Sequence, residues 1–118
     1  MKYMLIHTID PNAEHSTDGM PTCDSWLDEM LARGVNLHGD RLRDASDATT
    51  VQVRNREVLV SDGPFAETKE QIAGYDVIEC TDLDEAIEIA AKHPTAWQGM
   101  IEVRPIQGDR CDSSAQGG

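Results

Sequence analysis

The sequence is short of positive charge, of paired cysteines and of long apolar runs, and each shortage removes a class of function. Lys and Arg number 10 against 22 Asp and Glu, for a formal net charge of -12. A surface of that sign repels phosphate backbones and anionic lipid, so neither nucleic acid nor membrane is expected as a partner. The charge serves solubility. Cysteine occurs three times, at Cys23, Cys80 and Cys111. The odd number and the lack of a CxxC pair exclude a disulfide framework and a cysteine-based zinc site. Cys80 lies in an apolar run and reads as a core residue, whereas Cys111 lies in a polar tail. No stretch approaches the roughly 20 apolar residues that span a bilayer, and the run Met1–Ile9 has no cleavage pattern after it. A cytoplasmic location is expected. Apolar residues make up 39% of the chain, a lean share. Even so, 118 residues are enough for one domain that buries roughly two-thirds of its unfolded surface.

What is present is an alternation of strand and helix signals. Residues 2–9, KYMLIHTI, form a strand with apolar residues on both faces, Met4 and Ile6 on one and Tyr3, Leu5 and Ile9 on the other. A polar, turn-forming connection follows over 10–20. A helix is predicted from Pro21 to Arg33, with Cys23, Leu27, Met30 and Leu31 at helical spacing, Trp26 beside them and Gly34 as the stop. Residues 35–43 read as a second strand. TTVQV and EVLVS then form a hairpin, with Asn55 supplying the turn geometry. After the break at Asp62-Gly63-Pro64 a strand resumes over 73–80. Thr81 is placed to cap a second helix, with Asp84 three residues on. Leu83, Ala86, Ile87, Ala90 and Ala91 form its apolar stripe, and Pro94 is its end. The last strand covers 99–106, and a frayed tail is expected from Gly108.

This order is the split β-α-β pattern of a ferredoxin-like α+β domain, with an extra hairpin between its halves. Residues 1–107 make the domain and 108–118 a flexible tail. Two helices cover only one face of such a sheet. A first strand that is apolar on both faces therefore points to a second subunit, sheet against sheet.

The most distinctive stretch is Asp62–Glu70, DGPFAETKE. It resembles the signature of the DGPF group within the YCII-related proteins. The resemblance extends to MKYMLIH at the start, IAGYDVI after the signature, LDEAIEIAAKHP in the second helix and IEVRPI in the last strand. It leaves out only the loop 10–20 and the tail. It implies a dimeric α/β barrel, in a superfamily that includes cofactor-poor enzymes acting on small organic molecules. It also implies that some members are linked to extracytoplasmic-function sigma factors. Members of the YCII type are associated with a His–Asp pair whose histidine stands on the first helix. This chain has no histidine between Pro21 and Gly34.

Read from the residues themselves, the motif has two explanations. Asp62, Glu67, Lys69 and Glu70 can surround a cleft in which carboxylates do acid–base work and Lys69 binds an anion. Alternatively, Gly63 and Pro64 set a turn, Asp62 hydrogen-bonds its backbone and Phe65 anchors the loop. Among the histidines, His7, at the end of an apolar strand, is the best candidate for proton transfer. His38 is placed to line the same pocket, His15 is solvated, and His93 is expected to complement the end of a helix. Asp76, on a central strand, and Arg104, on the last, are either candidates for a buried pair or both rim groups. Trp26 and Trp97 can wall a pocket, though core packing is the commoner role.

The candidate catalytic residues are thus His7 and Asp62, and the candidate ligand-binding residues His38, Lys69 and Tyr75. No histidine spacing suggests a metal, and no cofactor is expected. Two functions follow. One is a small-molecule enzyme or ligand-binding protein with an acid–base pocket. The other is a dimeric module that binds a regulatory protein.

Overall fold

The computed structural model describes residues 1–9, 18–63 and 71–108. Its centre is a four-stranded antiparallel sheet in the order β2-β5-β1-β6. Here β1 is Lys2–Ile9, β2 Asn36–Arg41, β5 Gln71–Glu79 and β6 Gly99–Pro105. The order is that of a ferredoxin-like fold, with β3 (Thr49–Arg54) and β4 (Glu57–Asp62) inserted as a hairpin that forms a sheet of its own.

Among the described residues three α-helices accompany the sheet: α1 (Cys23–Ala32), α2 (Leu83–Ala91) and the short α3 (Pro94–Gln98). Tyr3 and Leu5 of β1 and Ile78 of β5 meet Trp26 and Met30 of α1 and Ala86, Ile89 and Ala90 of α2 in one core. The alternate residues Met4, Ile6 and Val77 face the other way and are only half-buried. The first strand is therefore apolar on both faces, but among the described residues only one face is covered.

The caps differ from the sequence expectation in instructive ways. Helix α1 begins after Thr22, whose hydroxyl accepts from the Ser25 amide at 3.0 Å, and the chain turns away at Gly34, at φ 70°. The cap of α2 is Asp82, not Thr81. Its carboxylate accepts from the Glu85 amide at 2.9 Å, while Glu85 reaches back to the Thr81 amide at 2.8 Å. The cap is displaced by one residue from the expected one, because the ionised carboxylate is the stronger acceptor, and the return bond from Glu85 goes to the residue before the cap. That helix buries Ile89 rather than Ile87, which stays half-exposed with Leu83. Pro94 follows the end of α2 and opens a new helix, where its missing N–H costs nothing.

The hairpin turns through Asn55 (φ 52°) and Arg56 (φ 67°), both left-handed, as a two-residue turn requires. The expected tail and most of the 10–20 loop lie outside the described residues, as do Lys69, Phe65, His15 and Cys111.

Candidate functional site

The site grows from one register row of the sheet. His7 on β1 pairs with Gly74 on β5, and Gly74 pairs with Arg41 on β2. The adjacent row runs Leu5, Asp76, Gly39. All face the helices. Gly39 and Gly74 carry no side chain, and neither has room for one. A Cβ on Gly39 would overlap Oδ1 of Asp76 and stand 2.5 Å from the Tyr75 carbonyl oxygen. A Cβ on Gly74 would stand 2.8 Å from the Asp40 carbonyl oxygen. The two glycines hold β2 close to β5 and leave the floor open. Above it lies a cleft of about 950 Å³, bounded by the start of α1, the end of β2, the start of β5 and α3. That volume suits a small organic molecule.

His7 and Asp76 meet in its wall. Nε2 of His7 donates to Oδ2 of Asp76 at 2.7 Å, and Nδ2 of Asn36 donates to Oδ1 at 3.2 Å. Each carboxylate oxygen thus has one donor and keeps a free lone pair. His7 is 5% exposed, and its Nδ1 is buried with no partner among the described residues. An unmet nitrogen of this kind costs about 1–3 kcal/mol, a feature more typical of a site than of a scaffold.

His93 completes the cluster. Its ring stacks on His7, with centroids 4.2 Å apart and planes at 26°, and the edge of Trp26 packs against it at 4.8 Å. It caps α3 through Nδ1, which accepts from the Thr95 amide at 3.0 Å. The ring proton of the neutral form is therefore on Nε2. Burial, then the neighbouring His7, pushes its pKa down to about 4, although Asp76 acts in the other direction. A neutral spacer thus stands beside His7. The Trp26 indole donates to the Ile89 carbonyl at 2.9 Å and fixes this wall.

His7, Asp76 and His93 each offer a ligand atom, all within 4.8 Å of one another. In their present orientation they suit a proton better than a cation. The two rings are nearly parallel, so their lone pairs do not converge. One nitrogen of each ring is already committed, to Asp76 and to Thr95.

The residues anticipated from sequence fall in three places. His7 is in the cleft. Asp62 is not: it ends β4 on the separate hairpin, exposed and paired in register with Thr49, because that hairpin does not join the main sheet. Tyr75 borders the cleft, but its ring alternates to the opposite face of β5 from Gly74 and Asp76. There its hydroxyl lies 3.5 Å from Nδ1 of His38, which is exposed and outside the cleft wall. Lys69 lies outside the described residues. Asp76 is indeed paired, but with His7, while Arg104 pairs with Glu102 on its own strand. His93 caps the start of α3 rather than complementing the end of α2. Pro94 at a first helical position is a helix-start signal, and it could have been read as one.

A family model described as the YCII-related domain matches residues 1–108. The chain belongs to the YCII-related family. It is also 44% identical over 68 residues to an uncharacterised protein of Rhizobium meliloti (strain 1021). That match takes in 56% of this chain and 55% of the relative, so the chain spans about half the length of the curated relative it matches. The His–Asp contact described in this YCII-related chain draws its histidine from the first strand. No described helix is long and apolar enough to cross a membrane.

Proposed function

We propose that this YCII-related chain is a small-molecule enzyme whose chemistry is proton transfer by the Asp76–His7 pair. The observation that carries the reading is a hydrogen-bonded His–Asp pair, buried on the histidine side and slightly exposed on the carboxylate side, in the wall of a ligand-sized cleft. The Asp76 side chain is 14% exposed against 6% for His7, so Asp76 meets the ligand. His7 orients the carboxylate by donating to it, and Asp76 takes and returns the proton. Asn36 holds the second oxygen. The pair resembles the one associated with YCII-type members, with its histidine supplied from a different element.

The test is exchange of carbon-bound protons in deuterated buffer, followed by proton NMR, with acetone, acetaldehyde and pyruvate as probes. Wild-type protein is expected to accelerate exchange of at least one probe, and Asp76→Asn to abolish the acceleration. A wild type that accelerates none of them, or an Asp76→Asn variant that matches it, overturns the reading.

We also infer a homodimer formed through the sheet face that no described helix covers. Met4, Ile6 and Val77 stand on that face. Glu102 and Arg104, paired with each other, stand beside them on β6. A patch carrying both charge signs is self-complementary about a two-fold axis, and a sheet with an apolar face needs a second layer. Sedimentation equilibrium is expected to give twice the chain mass, and Ile6→Lys to give a monomer.

The alternative reading, a non-catalytic module for a regulatory partner such as a sigma factor, draws support from Val51, Val53, Val58 and Val60. Cross-strand register puts all four on one exposed face of the hairpin.

A further inference from the structure

Among the charged groups that line the cleft, Asp40 alternates to the opposite face of β2 from Arg41, and most of the rest have partners. Asp76 is held by His7 and Asn36. Asp44 accepts from the amide and hydroxyl of Ser46, which lowers its pKa. Arg43 is paired with Asp47 at 3.1 Å. Arg41 is different. It lines the cleft, yet it forms no ion pair or side-chain hydrogen bond with any described residue.

Its position gives that free guanidinium a direction. Arg41, Gly74 and His7 lie in one register row across three neighbouring strands and on one face. Two strand spacings put the Arg41 and His7 Cα atoms about 10 Å apart, with only a glycine between them. The gap suits a molecule of a few heavy atoms that touches guanidinium at one end and the Asp76–His7 pair at the other. In a chain of net charge -12, an anion finds little attraction elsewhere. Arg41 is exposed at the rim of the cleft, where an anionic ligand would be its counter-ion. Guanidinium presents parallel N–H donors that match the two oxygens of a carboxylate.

We propose that Arg41 is the anchor of this cleft and that the ligand is a small carboxylate, its anionic end on Arg41 and its reacting end over Gly74 toward Asp76. This deepens the acid–base reading and rests on it for the identity of the reacting end, though not for the anchor.

The experiment is a titration of 15N-labelled protein with pyruvate, acetate and, as the uncharged isostere, acetamide, following the Gly74 amide and the Trp26 indole. The two carboxylates are expected to shift both signals saturably, and acetamide to leave them unmoved. Arg41→Gln should weaken pyruvate binding about tenfold to a hundredfold, the range for a charge-assisted pair. Arg41→Lys, which keeps the charge and loses the fork, should fall between. Arg43→Gln, which removes an equal charge from the same rim, should keep the affinity within about twofold. Equal binding of acetamide and acetate, no saturable shift with either carboxylate, or an unchanged affinity in Arg41→Gln each overturns the anchor. An equal loss in Arg43→Gln and Arg41→Gln reduces the effect to general charge and overturns it as well. Asp76→Asn separates the two ideas. If it still binds pyruvate through Arg41 while wild type exchanges no protons, the anchor stands and the acid–base reading falls.

Discussion

Gly39 of β2 lies directly beneath the carboxylate of Asp76, in the space a side chain would need. The carboxylate occupies that space, and from there it reaches both His7 and Asn36. Gly39→Ala is therefore expected to displace Asp76 and crowd the Tyr75 carbonyl, since one of the two obstacles is backbone. We expect a loss of about 1–3 kcal/mol in urea unfolding, together with loss of the low-field His7 ring-proton signal in the NMR spectrum. An alanine variant as stable as wild type, with that signal intact, would contradict this account.

The buried pair predicts an asymmetry between two substitutions. Asp76→Ala leaves the His7 Nε2–H and the Asn36 amide without an acceptor in a largely dry wall, and should cost about 3 kcal/mol. Asp76→Asn keeps an oxygen for one of them and should cost about half as much, while still removing proton transfer. Chemical denaturation of the two variants side by side checks the order.

His93 gives the fold an acid-side weakness. Its pKa in the fold is about 4, below the ordinary histidine value near 6.5. The folded state therefore carries fewer protons than the unfolded chain between those two values. The contribution is complete above about pH 6.5 and is lost as pH falls toward about 4, worth roughly 3 kcal/mol. Glu29, Glu85 and Glu88, whose pKa values are lowered by Lys92, Thr81 and Arg33, add their own losses at the acid end. Denaturation midpoints of wild type and His93→Phe, measured from pH 7 to pH 4, separate the two. The variant is expected to lose the slope above pH 4.5 and keep the steeper fall below it.

Arg56 holds a left-handed backbone conformation at φ 67° in the hairpin turn. A side chain in that conformation costs about 1 kcal/mol, and glycine carries no such penalty. Arg56→Gly is expected to raise the population of the closed hairpin, visible as stronger cross-strand contacts between Val51 and Val60 in NMR at elevated temperature. A weaker contact would mean that the Arg56 side chain contributes something not apparent in the turn.

The fold was legible where local chemistry and periodicity agreed. β1 announced itself through apolar residues on both faces, the hairpin through alternating valines around Asn55, and α1 through its spacing and Gly34. The site was only half legible. His7 stood out as a polar end to an apolar strand. Its partner Asp76 lies 69 positions away, and nothing local distinguishes it from the other 21 acids of the chain. The conspicuous motif drew attention to Asp62, yet that residue sits on a separate hairpin. Arg41 carried no signal, because being unpaired is a property of the folded neighbourhood. Register, set by backbone pairing across three strands, is what brought these residues into one row.

The separate sheet of β3 and β4 has one further consequence. A two-stranded ribbon is marginal alone, and its valine face stays more than half exposed. It should open in its own local transitions, well below the energy that unfolds the main sheet. Backbone amides from Val51 to Val60 will then trade hydrogen for deuterium within minutes, while those of Leu5 and Ile78 hold theirs for far longer. The chain thus has two cooperative units of unequal strength, and the whole His7–Asp76–Arg41 row lies in the stronger one.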